Sequence, residues 1–385
     1  MRVAGIVAEY NPFHLGHAYQ MAQVRRTLGE DCNLVCAMSG HWVQRGECAL
    51  TDKWTRAAMA LRGGADLVLE IPTPWAASSA EAFARGGVGV LAATGVVDTL
   101  AFGSETGALD DLRALADCLD SGLYRAGLGR FLEEGMPFAA ARQAVVRGIL
   151  GDRADRLSGP NDNLGVEYLR TLPPHMSALA VRRVGVDHDG GAGEGYASAS
   201  QLRDWLRRGK ISRAEPYLTE PWQGEIASME WVERAVLARL RRMTAEELER
   251  LPDSGEGLAN RILAAAGKAG TLEELYDGAK TKRYAHARIR RLCLWAFLGL
   301  EAADRPAQVP YLRVLGFTAR GQALLQRMKD AAALPVVTKP AHARRLDEPA
   351  RRTFELEARC TDLYALCFDQ VKPSGQEWTT DPVRR

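Results

Sequence analysis

His14 and His17 sit three positions apart in the run Val3-Ala4-Gly5-Ile6-Val7-Ala8-Glu9-Tyr10-Asn11-Pro12-Phe13-His14-Leu15-Gly16-His17. Two imidazoles at that spacing can hold phosphate oxygens if the chain around them also presents free backbone N–H groups. The neighbouring residues point that way. Asn11-Pro12 marks a turn, because proline fixes φ and biases the residue before it away from helix. Gly16 admits a ligand close to the backbone. An apolar helical pattern opens at His17 and continues through Ala18, Met21, Ala22 and Val24. A strand that feeds a helix N-terminus through such a loop is an anion site, made of unpaired N–H groups and the positive end of the helix dipole. An isolated His-x-Gly-His is as often a plain turn and cap. The strand in front of it favours function. A zinc site is the weaker reading, since no nearby cluster supplies further ligands.

The elements that must position these residues alternate along the first half of the chain. Val3 to Ala8 is small or β-branched and uncharged, as a central parallel strand requires. Asn33 to Met38, Asp66 to Ile71, Asp98 to Gly103 and Leu179 to Val184 read as four more strands. Between them fall a helix from Thr51, taken as its cap, to Leu61 and a small-residue helix from Ala80 to Leu91. Residues 108 to 150 carry helical apolar stripes. This rhythm predicts an α/β fold with a Rossmann-like, doubly wound parallel sheet. Ligands then bind at the strands' C-terminal edge. Ser39 to Glu47, with Arg45, falls there, and so does Gly103. Asn161 precedes an apolar helical stripe and is a plausible N-cap. A glycine-rich loop, Asp189 to Gly195, is expected to be mobile. Ser198 to Arg203 opens another helix, in a pattern usually explained by capping alone.

From about residue 211 the strand rhythm stops, and a mainly helical second domain, 211–385, follows the α/β domain, 1–210. Its sharpest charge feature is Lys280 to Arg291, with six basic residues and no acid. Ala285, Ile289, Leu292 and Ala296 make its buried stripe, with Arg283 and Arg290 outside it. Tyr284 and His286 offer stacking surface. Such a face suits an RNA backbone and an unstacked base. Pro310 to Leu325 reads as strand, turn and helix. The residues from Lys372 onward look frayed.

The 385 residues carry a net charge of only +2, which excludes a globally basic nucleic-acid binder and confines RNA contact to a local patch. The seven cysteines lack framework spacing, which predicts a reduced, cytoplasmic setting. No signal peptide and no membrane-length apolar run is read.

With these stretches in view, the sequence resembles the bacterial tRNA(Met) cytidine acetate ligase family of HIGH-type nucleotidyltransferases. The matching pieces are Gly5 to His17, Ser39 to Glu47, Ala65 to Ala82, Phe102 to Glu105, Pro160-Asn161 with Leu164-Gly165, Ser198 to Ser200 with Arg203, and Lys282 to Tyr284 with Arg288 to Arg291. The chain departs from the family pattern at Asp162-Asn163 and in a shortened Gly185 to Asp189 run without tyrosine. The resemblance implies an ATP site formed by Val7, Ala8, Glu9, Tyr10, Asn11, Pro12, Phe13, His14, Leu15, Gly16, His17, Ala18, Tyr19 and Gln20, with Gly103, Asn161, Arg183 and Ser200. His14 and His17 would be catalytic, and Mg²⁺ would accompany ATP, with no resident metal. It implies activation of acetate as acetyl-adenylate, then transfer to N4 of the wobble cytidine of elongator tRNA(Met). Lys282, Arg283, Arg288, Arg290 and Arg291 would bind the tRNA, and no stable protein partner is expected. Two other readings remain open on sequence. One is a small-molecule adenylyltransferase of cofactor biosynthesis. The other is a non-catalytic RNA-binding protein.

Overall fold

A computed structural model describes residues 1–184, 192–193, 195–255, 257–281 and 283–385. Strand β1 (Val3–Ala8) leads into helix α1 (Leu15–Leu28), then β2 (Asn33–Ser39), α2 (Lys53–Arg62), β3 (Leu67–Ile71), α3 (Ala80–Ala93) and β4 (Thr99–Ser104). Three helices fill residues 109–150, and α4 (Pro160–Thr171) precedes β5 (Ser177–Arg182). These five strands pair in parallel in the order β3-β2-β1-β4-β5. The chain winds one way from β1 to β3 and the other way from β4 to β5. A crevice therefore opens between the C-terminal ends of β1 and β4, where strand order reverses. Both faces are covered. Val7, Val35, Leu69, Phe83 and Leu91 pack on one side, and Ile6, Met21, Leu34, Cys36 and Ala57 on the other.

The sheet is mixed rather than purely parallel. Beyond the helical region, β6 (Leu312–Phe317) returns to pair antiparallel with β3. Two short strands, β7 (Val336–Val337) and β8 (Val383–Arg384), then pair in parallel with β6. The strand, turn and helix expected at 310–325 are present, with the helix running Ala319–Ala331. A sequence boundary at residue 210 does not anticipate this return.

The expectation of a frayed tail from Lys372 is wrong. Glu377 is fully buried, and its carboxylate accepts from Arg313 (3.3 Å), Thr361 (3.0 Å) and Lys53 (2.5 Å). Thr51 is not the cap of α2 either. The following residue, Asp52, accepts the Thr55 N–H at 2.8 Å. Aspartate is the stronger capping side chain and also carries charge to the positive helix end.

The helical body has its own core, built from Val236, Leu240, Ile262, Leu275, Ile289 and Trp295 among others, and it includes Trp42 of the Ser39–Glu47 region and the adjacent Cys48. Direct polar links bind it to the sheet. The Trp295 indole donates to the Ala77 carbonyl (2.6 Å), Trp42 to that of Cys360 (3.0 Å), and the Tyr364 hydroxyl to that of Ala49 (3.1 Å). Buried polar atoms paired this way fix the body against the sheet's ligand-binding edge. Among the described residues, no helix is long and apolar enough to cross a membrane.

Candidate active site

The site begins where β1 ends. Tyr10 takes a left-handed backbone conformation (φ 46°), and the Asn11–Pro12 peptide is cis. His14 is the N-cap of α1. Its Nδ1 accepts the Gly16 N–H (3.0 Å), while His17 Nδ1 accepts the His14 N–H (3.3 Å). With both Nδ1 atoms accepting, the ring protons sit on the two Nε2 atoms, which become donors. The rings stack at 3.8 Å. Burial pushes the His14 pKa down to about 3, aided by the positive fields of Arg183 and Arg203. Burial also lowers His17 well below its usual range, with His14 and Arg183 contributing. Both imidazoles are therefore neutral donors at pH 7.

Gly16 is required for a reason other than ligand approach. A Cβ there would stand 2.9 Å from His14 Cε1, so a larger residue would displace the capping ring. At Gly103 a Cβ would meet nothing nearer than 3.6 Å, which leaves that strand edge open to a ligand.

The crevice has a volume of about 210 Å³ and is lined by Val7, Ala8, Glu9, Tyr10, Asn11, His14, His17, Gln20, Gly103, Asn161 and Arg183 of the expected set. Gly16 and Tyr19 line a smaller recess beside it, shared with His17, Gln20, Gly103 and Arg183. Pro12, Phe13, Leu15 and Ala18 line neither cavity. Phe13 is instead packed inside, against Gly63.

Asn161 is not an N-cap. It lies in the first turn of α4, where Glu105 serves the helix end from outside. The Glu105 carboxylate accepts from Asn161 N (2.9 Å), Asn161 Nδ2 (2.6 Å) and Asp162 N (2.6 Å). Burial works to raise the Glu105 pKa, but these hydrogen bonds outweigh it and hold it below normal. The Asn161 amide oxygen is left to accept from Arg183 (3.4 Å). Asp162 accepts from Glu105 N (3.0 Å) and the Thr106 hydroxyl (2.9 Å), which makes it a brace for the end of β4.

Several lining residues lie outside the expected set: Gln44, Arg45, Phe83, Phe102, Tyr168 and Arg203. Arg203, on α5 (Ala199–Arg207), donates to the Asn11 carbonyl (2.9 Å) and to the Ser200 hydroxyl (3.2 Å). Ser200 also accepts from Arg45 (3.3 Å), while Ser198 is the cap of α5. The buried Asn11 Nδ2 has no partner among the described residues, so the crevice keeps one more donor for an anion. Glu9 is the crevice's acid. It accepts the Gln44 N–H at 2.7 Å, and burial raises its pKa against the pull of Arg203 and Arg45.

The chain matches the HIGH nucleotidyl transferase family model over residues 1–378. The tRNA(Met) cytidine acetate ligase of Acetivibrio thermocellus is 33% identical, with all of both chains covered. That of Syntrophomonas wolfei is 35% identical over 100% of this chain and 99% of its own length. The chain belongs to this family of ligases. Its fold agrees with the crystal structure of apo Thermotoga maritima TmcAL, at TM-score 0.93, 29% identity and coverage of 100% and 99% of the two chains. The same ligase bound to alpha-thio ATP superposes at TM-score 0.90 with 28% identity. Most of the residues that the sequence assigns to ATP line the crevice or the recess beside it; Pro12, Phe13, Leu15 and Ala18 do not, and Ser200 lines a separate cavity.

The basic segment is less uniform than its sequence suggests. Helix α6 (His286–Leu298) starts after an exposed Ala285, so Ala285 is not part of the buried stripe. Tyr284 is buried, with the Arg288 guanidinium over its ring at 5.5 Å, and it offers no stacking surface. His286 faces Asp277 at 3.5 Å. Arg288 donates to the Asp253 carbonyl (2.8 Å) and Arg291 to that of Gln44 (3.4 Å), so both tie elements together. Arg283 is exposed, and Lys282 lies outside the described residues, as do residues 185–191 and 194 of the shortened and glycine-rich loops. Arg290 lines a second cavity, of about 780 Å³, together with Ser200.

Gly46 holds α6 against the active-site loop. It has φ +78°, and a Cβ there would stand 2.5 Å from Arg291 N and 2.6 Å from Arg290 C. Gly46→Ala would add left-handed strain of about 1–2 kcal/mol and a clash with backbone that cannot swing away. Urea unfolding should show a loss larger than the strain alone. A loss below about 0.5 kcal/mol would mean that loop and helix separate freely.

Proposed function

We propose that this protein activates acetate with ATP and transfers the acetyl group to N4 of the wobble cytidine of elongator tRNA(Met). The observation that carries this reading is the pair of neutral imidazole Nε2–H donors at the sheet's switch point. Whole-length similarity to ligases of that name supports the substrate assignment over the other two readings. In the first step, an acetate oxygen attacks the α-phosphorus and pyrophosphate leaves. Negative charge grows on the phosphorane oxygens and the departing group. His14, His17 and the N-terminal amides of α1 are preorganised to receive it, which is where such sites lower a barrier most. Adenosine lies toward Gly103, Asn161 and Arg183. Arg203 and Arg45 offset the charge of the leaving pyrophosphate. Mg²⁺ accompanying the triphosphate would supply further charge neutralisation. Among the described residues, no three His, Cys, Asp or Glu side chains converge to hold a metal independently.

In the second step, the cytosine N4 amine attacks the acetyl carbonyl, AMP departs, and N4 loses a proton. Glu9 is the carboxylate placed to take it, because burial and a raised pKa make it a better base than an exposed one. Of the basic segment, Arg283 and Arg290 are the residues we assign to RNA, while Arg288 and Arg291 hold the segment in place. The setting is cytoplasmic. All seven cysteines are free and buried, which suits it.

The test measures pyrophosphate release from ATP with and without acetate, and acetylated cytidine by mass spectrometry after adding tRNA(Met). Release that depends on acetate, followed by N4-acetylcytidine, is expected. Acetate-independent release, or release with no modified cytidine, would overturn the proposal.

A further inference from the structure

The second cavity, of about 780 Å³, adjoins the nucleotide crevice, and Arg45 and Arg203 line both. Those two arginines meet at the Ser200 hydroxyl, at 3.3 and 3.2 Å, and form the partition between the two spaces. We propose that this second cavity is the acceptor site, which takes the unpaired nucleotide whose cytosine receives the acetyl group. The inference rests on the reading under Proposed function and adds where the RNA base sits.

The amine nucleophile has to reach an acyl group held beside His14 and His17. A base inside a paired or stacked helix cannot do so, and enzymes that act on bases bring them out into a pocket. The crevice beside His14 and His17, of about 210 Å³, is the space the adenylate would occupy in this reading. The adjoining cavity, of about 780 Å³, has room for a nucleotide with its flanking phosphates.

Its chemistry is that of a single-stranded nucleotide site. Trp231 stands at the rim, 52% exposed, in a short 3₁₀ turn Met229–Val232. An indole left in solvent at a cavity mouth is a platform for an unstacked base. Arg290 reaches in from α6, and its buried Nε has no partner among the described residues. Its guanidinium lies 5.3 Å from the Tyr276 ring and forms no ion pair with a carboxylate among the described residues, so a phosphate would balance it. Two further arginines on the wall, Arg207 and Arg208, are matched by Glu47 (3.5 Å) and Asp204 (2.7 Å). The cavity is thus charged locally but not overwhelmed by one sign. This agrees with a chain of net charge +2 that must concentrate its affinity for RNA in one place. Base stacking on Trp231 and a phosphate on Arg290 would hold the nucleotide in the cavity whose Arg45–Ser200–Arg203 wall is shared with the adenylate's crevice.

The experiment compares the wild-type chain with Trp231→Ala and Trp231→Phe, using an elongator tRNA(Met) transcript as acceptor. Trp231→Ala should lower kcat/KM for tRNA acetylation about tenfold or more, measured against RNA-independent, acetate-driven pyrophosphate release in the same preparation. Trp231→Phe should recover most of that loss, because it keeps an aromatic face. Two results would overturn the assignment. One is tRNA kinetics of Trp231→Ala within twofold of wild type. The other is a parallel loss of both half-reactions, which would make the cavity a support of the nucleotide site. A wild-type protein that releases no pyrophosphate with acetate would instead refute the underlying function, so the two failures are distinct.

Discussion

His14→Asn and His17→Asn should each slow acetyl-adenylate formation by about 10²–10³-fold, equivalent to about 3–4 kcal/mol of transition-state stabilisation. Asparagine is chosen at position 14 because it caps helices well, whereas alanine would also remove the cap and cost about 1 kcal/mol of stability. The expected loss is in the rate of the chemical step rather than in ATP affinity. The two Nε2–H groups are neutral in the free protein, so they bind the ground-state triphosphate only modestly. Their interaction strengthens as charge moves onto the phosphorane. Single-turnover pyrophosphate release, read beside ATP binding by calorimetry, separates the two. A variant that loses affinity by as much as it loses rate would mean that the histidines only hold the substrate. A variant with wild-type single-turnover rate would remove them from catalysis.

That pair was legible in sequence because everything that positions it is local. The strand Val3–Ala8, the Asn11-Pro12 turn and the apolar stripe from His17 lie within about one strand and one helix of each other. Each segment's own preference agrees with the fold. Features fixed by distant partners were not legible. Asn161 reads as a cap until Glu105, 56 residues earlier, is seen to serve the helix end. Tyr284 reads as an exposed aromatic until Arg288 covers it. The helical stripe sets Arg283 and Arg290 outside it, but the helix begins only at His286, and the pattern cannot say that the Gln44–Gly46 loop lies opposite and absorbs Arg291. Phe102 and Tyr168 line the crevice, yet their apolar patterns are those of ordinary core strands and helices.

The tail is the clearest case. Glu377 follows Lys372-Pro373-Ser374-Gly375-Gln376, and a lone acid after such residues looks solvated. It is buried because two cations await it: Lys53 of α2 and Arg313 of β6. Arg313 is equally misleading, since a strand with an inward arginine only makes sense once its partner has arrived. Sequence periodicity records which positions face inward, but not which charges meet there.

Lys53→Met should therefore be among the most destabilising single substitutions in the protein. The Lys53 ammonium donates to Glu70 (2.6 Å) and Glu377 (2.5 Å), with all three side chains at most 1% exposed. A third carboxylate, Glu357, lies close enough for its field to reach them and accepts from Thr73 N and the Thr73 hydroxyl, both at 2.7 Å. Two cations, Lys53 and Arg313, face these three buried acids. Burial raises the pKa of Glu70 to about 8, and Lys53 only partly counters it. Removing the ammonium leaves carboxylates uncompensated in the core, which costs about 3–5 kcal/mol, a large fraction of a typical domain's stability. The pH dependence gives the sign. A carboxylate whose pKa is raised on folding binds more protons folded than unfolded, so stability is lost as pH rises from the unfolded value, about 4.5, toward 8. Urea unfolding of Lys53→Met should therefore worsen across that window more steeply than wild type does. Glu70→Gln should flatten the wild-type slope, and adding it to Lys53→Met should recover part of the loss, because one excess charge is gone. If Lys53→Met unfolds within about 1 kcal/mol of wild type at pH 8, or if Glu70→Gln leaves the slope unchanged, the cluster does not anchor the tail as described.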